Sequence, residues 1–122
     1  MKVAMIGQFP DPGRSATGGV ERVIAVLAPE IARHAEVAIF VPGASVDAEA
    51  DHEGIRVIYR KRAIGPGALR YWSYDALRIR EAVDAFKPDI VHLQGMAGWG
   101  LWLRQPTIFT LHGVVDRDLL AA

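Results

Sequence analysis

Cysteine is absent from this chain of 122 residues, which excludes disulfides, thiolate nucleophiles and cysteine metal centres and is compatible with a reducing cytoplasm. Net charge is absent too. Lys and Arg total 14 and so do Asp and Glu, so no global basic field exists to hold nucleic acid or an anionic membrane. No apolar run approaches the roughly 20 residues that span a bilayer. The stretch from Met1 to Gly7 is too short for a signal peptide and Pro10 soon interrupts it, so it reads as a first strand. Internal repeats and low-complexity tracts are also lacking.

What is present suits one globular domain. Hydrophobic residues make up 51% of the chain, and a chain this long buries roughly two-thirds of its unfolded surface. Lys2 to Gly7 is a continuous apolar run, the pattern of a strand covered on both faces. Gln8 to Gly19 is a loop rich in Pro, Gly, Ser and Thr. From Val20 the period becomes helical, with Val20, Val23, Ile24, Leu27 and Ile31 on one stripe. Pro29 falls inside that stripe and is expected to kink the helix or end it early.

Glu36 to Val41 reads as a second strand closed by Pro42-Gly43, and Ile55 to Tyr59 as a weaker third. Between them Ala44 to Gly54 is acidic and small-residued and reads as a surface loop. Gly65-Pro66-Gly67 precedes a second helix whose stripe is Leu69, Trp72, Ala76, Ile79, Val83 and Phe86, stopped by Lys87-Pro88. Asp89 to Leu93 and Thr107 to Leu111 are two further strands. This alternation implies a Rossmann-like three-layer α/β/α domain with a mostly parallel sheet and right-handed crossovers.

In such sheets, ligands bind beyond the carboxyl ends of the strands, where strand order reverses. With the common doubly wound order, the loop after Gly7, the turn His92-Leu93-Gln94-Gly95 and the turn Leu111-His112-Gly113 meet in one crevice. Thr17-Gly18-Gly19 leads straight into the first helix. Its glycines allow close backbone approach and its free amides suit a phosphate, although a flexible turn with ordinary capping explains the same residues. Neither common nucleotide fingerprint is present. Gln8-Phe9-Pro10 follows the first strand where spaced glycines belong, and Gly19-Val20 stands where a Walker loop has Lys and Ser/Thr. Glu21, in the first helical turn, complements the helix dipole.

His92 and His112 sit at strand carboxyl ends. Each alone reads as structural, whereas the pair at adjacent strand ends can reach a sugar hydroxyl, position a phosphate or move a proton. No His/Asp/Glu spacing matches a metal-ligand pattern. Arg60-Lys61-Arg62, with Arg70, Arg78 and Arg80, forms a local basic concentration that is either a solvated face or a contact for a phospholipid headgroup or charged acceptor. Trp99, Leu101, Trp102 and Leu103 read as packing between elements.

Taken in order, Lys2-Val3-Ala4-Met5-Ile6-Gly7, Phe9-Pro10 and Gly18-Gly19-Val20-Glu21-Arg22-Val23 resemble the opening of family-four retaining glycosyltransferases of the GT-B fold. Lys87-Pro88-Asp89-Ile90-Val91-His92 and Pro106-Thr107-Ile108-Phe109-Thr110-Leu111-His112-Gly113 are similar to later strands of the same N-terminal domain. The resemblance implies sugar transfer from a nucleotide-sugar to a glycan, lipid or small-molecule acceptor, with retention and with no metal or other cofactor. It gives His112 the catalytic role and places Gly18, Gly19 and Gly113 against the donor diphosphate and sugar. His92 and Gln94 then line the cleft on the acceptor side. Two local departures are His34-Ala35-Glu36-Val37, where the family has Gly-His-Glu-Val, and Pro29 within the first helix.

The resemblance also implies that residues 1–122 form the acceptor-side domain alone, truncated before a C-terminal donor domain that holds the nucleotide. Two other readings stay open: the non-catalytic binding half of a split enzyme, and a fragment of a GT-B sugar-nucleotide epimerase. The expected setting is cytoplasmic, with peripheral contact at the inner membrane face, no nucleic acid partner, and self-association through an apolar face near the fifth strand. The parent protein is expected to be the enzyme, and this chain alone inactive. By itself it should bind UDP or GDP more weakly than micromolar, and titration calorimetry showing micromolar binding would contradict that.

Overall fold

In the computed structural model, which describes residues 1–15, 18–65, 74–94 and 103–110, the first strand sets the plan. β1 (Lys2–Ile6) is buried along nearly its whole length, and its side chains alternate between two separate cores. Ala4 and Ile6 join one, Val3 and Met5 the other. That division explains why the strand reads as an unbroken apolar run: neither face meets water.

α1 (Gly19–Ala32) covers one face. It buries Ile24 and Ala28, with Val20, Leu27 and Ile31 packed at the margin. Val23, placed on the stripe by its spacing, is 39% exposed; Ala28 fills the inward position. α2 (Ala76–Phe86) covers the opposite face with Ala76, Ile79, Val83 and Phe86. It stops at Lys87, whose φ of 56° is left-handed, just before Pro88, which cannot continue a helix. Leu69 and Trp72 lie outside the described residues. The helices on the two faces make the domain a three-layer α/β/α sandwich.

The remaining strands are β2 (Glu36–Ala44), β3 (Ala48–His52), β4 (Ile55–Lys61), β5 (Ile90–Gln94) and β6 (Thr107–Thr110). The sheet order is β3-β4-β2-β1-β5-β6, with every pair parallel except β3 with β4. Two expectations are corrected here. Pro42-Gly43 does not close β2; the strand continues to Ala44 through a register shift between Val41 and Ala44, with Gly43 at φ 66°. Pro is tolerated in a strand at such a bulge.

The second correction concerns Ala44 to Gly54, read above as a loop. It contains β3, an edge strand with alternating burial. Ala48 and Ala50 face the α1-side core, while Glu49 reaches across to Arg56. A two-residue hairpin at Glu53-Gly54, both with positive φ, returns the chain into β4. This hairpin also explains how β2 and β4 run parallel without a helix between them: β3 carries the chain back along the outside edge.

Pro29 does not end α1, since the helix continues to Ala32. Proline removes the N–H that would bond the carbonyl four residues earlier, which is that of Ala25. His52 supplies a replacement, with Nε2 3.4 Å from the Ala25 oxygen, and its ring stacks edge-on to Phe9 at 5.1 Å. A donor from the edge strand thus satisfies the orphaned acceptor and ties β3 to α1. His52→Ala should cost about 1 kcal/mol in urea unfolding, and clearly less in a Pro29→Ala background, where the helix provides its own donor. Equal costs in both backgrounds would assign His52 another role.

Candidate functional site

Strand order reverses between β1 and β5, which are direct neighbours. A crevice beyond their carboxyl ends is therefore dictated by topology. Gly7, the first residue past β1, donates its N–H to the Phe40 carbonyl at 3.2 Å. A Cβ at this position would stand 2.5 Å from Ile24 Cδ1 and 2.9 Å from Gln94 Cβ. Glycine is thus required here, because α1, β1 and β5 close on the same point.

Gln94 ends β5 and is only 2% exposed. Its amide donates to His92 Nε2 at 3.1 Å, and the Thr110 hydroxyl lies 2.8 Å from that same nitrogen. Gln94 and Thr110 thus hold the His92 ring through the same nitrogen. The β5–β6 register pairs Gln94 with Thr110 and His92 with Ile108. Ile90, two residues before His92, packs in the α1-side core, so strand alternation puts His92 and Gln94 on the α1 face. Thr110 was not foreseen: a hydroxyl inside an apolar run signals nothing until the register sets it beside β5.

Gly18 and Gly19 lie at the start of α1. The Gly18 N–H donates to the Glu21 carboxylate at 3.0 Å. This is half of a capping box, because glycine has no side chain to reciprocate. The first intrahelical bond runs from Arg22 N–H to the Gly18 carbonyl at 3.0 Å, so the Gly19 and Val20 amides precede it. Unlike Gly7, these glycines have no steric reason to be glycine. A Cβ on Gly18 would meet only ordinary contacts, none shorter than 3.7 Å, and one on Gly19 would meet nothing within 4 Å.

On the β2 side of the β1–α1 connection opens a cleft of about 340 Å³, lined by Gln8, Phe9, Asp11, Glu21, Gly43, Ser45 and Arg62 among others. A second hollow of about 450 Å³ shares Phe9, Asp11 and Glu21 and adds Arg14. The loop between them is fastened at two points. Tyr59 donates its hydroxyl to the Pro10 carbonyl at 2.7 Å, and Ser45 donates to Asp11 at 3.3 Å. Burial, and then the nearby Asp11 carboxylate, raise the Tyr59 pKa, so the hydroxyl stays protonated and donating across neutral pH. The cleft was not legible beforehand, since its walls come from four separate stretches of chain.

Of the expected site residues, Gly18, Gly19, His92 and Gln94 lie at the carboxyl side of the sheet. Gln94 meets Gly7, and His92 meets Gln94. His112 and Gly113 fall outside the described residues, as do Arg70, Trp99, Leu101 and Trp102; Leu103 packs against the α2-side core. The basic residues do not act as one group. Arg78 pairs with Asp47 at 2.7 Å and Arg80 with Asp84 at 3.7 Å, while Arg62 lines the cleft. Among the described residues no cluster of three or more His, Cys, Asp or Glu could hold a metal ion, and no helix is long and apolar enough to cross a membrane.

The sequence model of Glycosyltransferase Family 4 matches residues 17–121. No curated protein sequence matches the chain. Among solved structures, sucrose-phosphate synthase from Thermosynechococcus elongatus is similar in fold, with a TM-score of 0.64 at 13% identity, over 98% of this chain and 68% of that one. The likeness reaches across both helical layers and the sheet and concerns the fold alone.

The close approach at Gly7 yields a direct test. Gly7→Ala should destabilise the domain by about 1–3 kcal/mol through overpacking, read in denaturant unfolding, and should shift the Gln94 and Ile24 resonances in a heteronuclear NMR spectrum. A neutral substitution would mean that β5 and α1 do not close on β1 as described.

Proposed function

Because the chain belongs to glycosyltransferase family 4, we propose that it forms the acceptor-side wall of a cleft in which a sugar passes from a nucleotide-sugar to an acceptor with retention of configuration. Membership of the family makes the parent protein a glycosyltransferase. The donor, the stereochemical outcome and the division between two domains belong to the proposal. In this reading a second domain, beyond these residues, grips the base and ribose, and no metal or other cofactor takes part.

The observation that carries the proposal is the contrast between glycines. Gly7 is glycine because the fold leaves no room for a Cβ, whereas Gly18 and Gly19 have room to spare. Glycines that serve no internal purpose at a helix start allow a ligand to approach the backbone. The amides there, at the positive end of the helix dipole, suit a diphosphate. His92, Gln94 and Thr110 lie across the switch point, on the strands that lead toward His112.

Catalysis in this arrangement rests on positioning and on stabilising charge at the departing diphosphate. The α1 amides take part of that charge. By the family resemblance His112 supports the transferred sugar in the transition state, and Gly113 lets the chain pass close to it. His92, with its ring oriented by Gln94 and Thr110, forms the wall that the acceptor meets.

In the full-length enzyme, His112→Ala is expected to lower turnover about a hundredfold or more, as loss of a transition-state contact does, with the far-ultraviolet circular dichroism spectrum unchanged. Gly19→Ala should leave stability unchanged or raise it by up to about 1 kcal/mol, since alanine is the better helix former, yet reduce turnover. Wild-type turnover in both variants would remove α1 and His112 from the reaction.

A further inference from the structure

The connection from β1 to α1 begins with a stretch that is stiff within itself. Pro10 and Pro12 fix two of its φ angles. The Arg14 N–H closes a turn on the Asp11 carbonyl at 3.0 Å, with Gly13 at φ 84°. Proline second and a left-handed glycine third is the pattern of a type II turn. Such a unit moves as one piece, so a few outside contacts decide where all of it sits. Three successive residues receive one contact each. Phe9 meets the His52 ring edge-on at 5.1 Å, the Pro10 carbonyl accepts from Tyr59 at 2.7 Å, and Asp11 accepts from Ser45 at 3.3 Å.

All three partners come from one side of the sheet. His52 ends β3, Tyr59 lies on β4, and Ser45 sits in the connection between β2 and β3. This is the part of the sheet where a hairpin stands in place of a crossover helix. Tyr59 is only 2% exposed and belongs to the α1-side core, where a phenylalanine ring would fill the same space. A hydroxyl buried there costs free energy unless it is paired. Its partner is not on a neighbouring strand but on a loop 49 residues away. That loop supplies Phe9 and Asp11 to both hollows.

We propose that the β3–β4 hairpin braces this loop and that Tyr59 is a positioning residue, holding Phe9 and Asp11 as ready-made walls of the cleft. A wall set in advance spares a ligand the cost of ordering it. Loss of the brace therefore weakens capture of whatever the cleft takes and leaves the later chemical step alone. Buried beneath the loop, Tyr59 acts through Pro10 and not on a substrate. That the captured molecule is the acceptor rests on the glycosyl-transfer reading; the bracing of the loop does not.

Tyr59→Phe keeps the ring in the core and deletes only the hydroxyl, so the fold should survive it. In NMR spectra of the chain, this variant should shift the resonances of Phe9, Asp11, Gly13 and Arg14 together and weaken the Phe9–His52 ring cross-peak, with β5 unchanged. Thr107→Val, which removes a hydroxyl bond at the far edge of the sheet, should leave the loop as it was. Asp11→Asn should lower the ionisation midpoint of Tyr59, read as phenolate absorbance against Tyr59→Phe, because burial and then the Asp11 carboxylate hold it above the usual tyrosine value. In the full-length enzyme, with methyl glycosides as probe acceptors, Tyr59→Phe should raise the acceptor KM about fivefold, the worth of one hydrogen bond, and keep kcat within about twofold. A loop spectrum that Tyr59→Phe leaves unchanged would overturn the proposal, as would a fall in kcat with KM untouched. A wild-type enzyme that consumes no nucleotide-sugar would instead remove the glycosyl-transfer reading, and the loop spectra would still decide the brace.

Discussion

The arrangement depends on a close approach at Gly7. There the end of β1 leaves no space for a single methyl group, because Ile24 on α1 and Gln94 on β5 both press against it. Interiors are packed at crystal-like density and do not deform to admit extra atoms. One glycine therefore sets how far α1 can lie from the sheet and where the last side chain of β5 must go. Gln94 then orients His92, and the polar cluster at the switch point follows from the backbone contact beneath it.

A second constraint acts on the other half of the sheet. β4 lies parallel to β2 but is reached by a hairpin, so the sheet gains an antiparallel edge strand. The edge is charged on its outer positions, with Glu49 and Asp51 alternating against small inward alanines. Such charge discourages pairing with another chain. The same strand delivers His52 to the Ala25 carbonyl that Pro29 leaves without its helical donor. An internal proline is tolerated because a neighbour satisfies the acceptor, which helix rules alone do not anticipate.

Much of the fold was legible residue by residue. Lys2 to Gly7 and Asp89 to Leu93 read as strands because their apolar runs suit burial on both faces, and strands form there at Lys2–Ile6 and Ile90–Gln94. The stripe Ala76, Ile79, Val83 and Phe86 read as a helix face and is one. β3 was missed for a physical reason: alanines and aspartate have low strand propensity, and its turn is Glu-Gly, outside the usual Asn-Gly or Asp-Gly signature. Pro42 hid the continuation of β2, since a bulge is a property of two strands and cannot be seen in one. At the candidate site, His92 and Gln94 were visible as polar residues at a strand end. Thr110 and Asp11 were not, because what marks them is proximity in space to residues far along the chain.

The sequence by itself determined the layered α/β class, the parallel succession of buried strands and the ordered motifs of a glycosyltransferase domain. These are local matters of hydrophobic period and residue spacing, which the chain carries wherever it goes. Only the tertiary structure decided that Gly7 leaves no room for a side chain while Gly18 and Gly19 do. It alone set Thr110 beside His92. Both distinctions depend on what lies within a few ångströms in space, and residues far apart along the chain acquire such neighbours only when the sheet assembles.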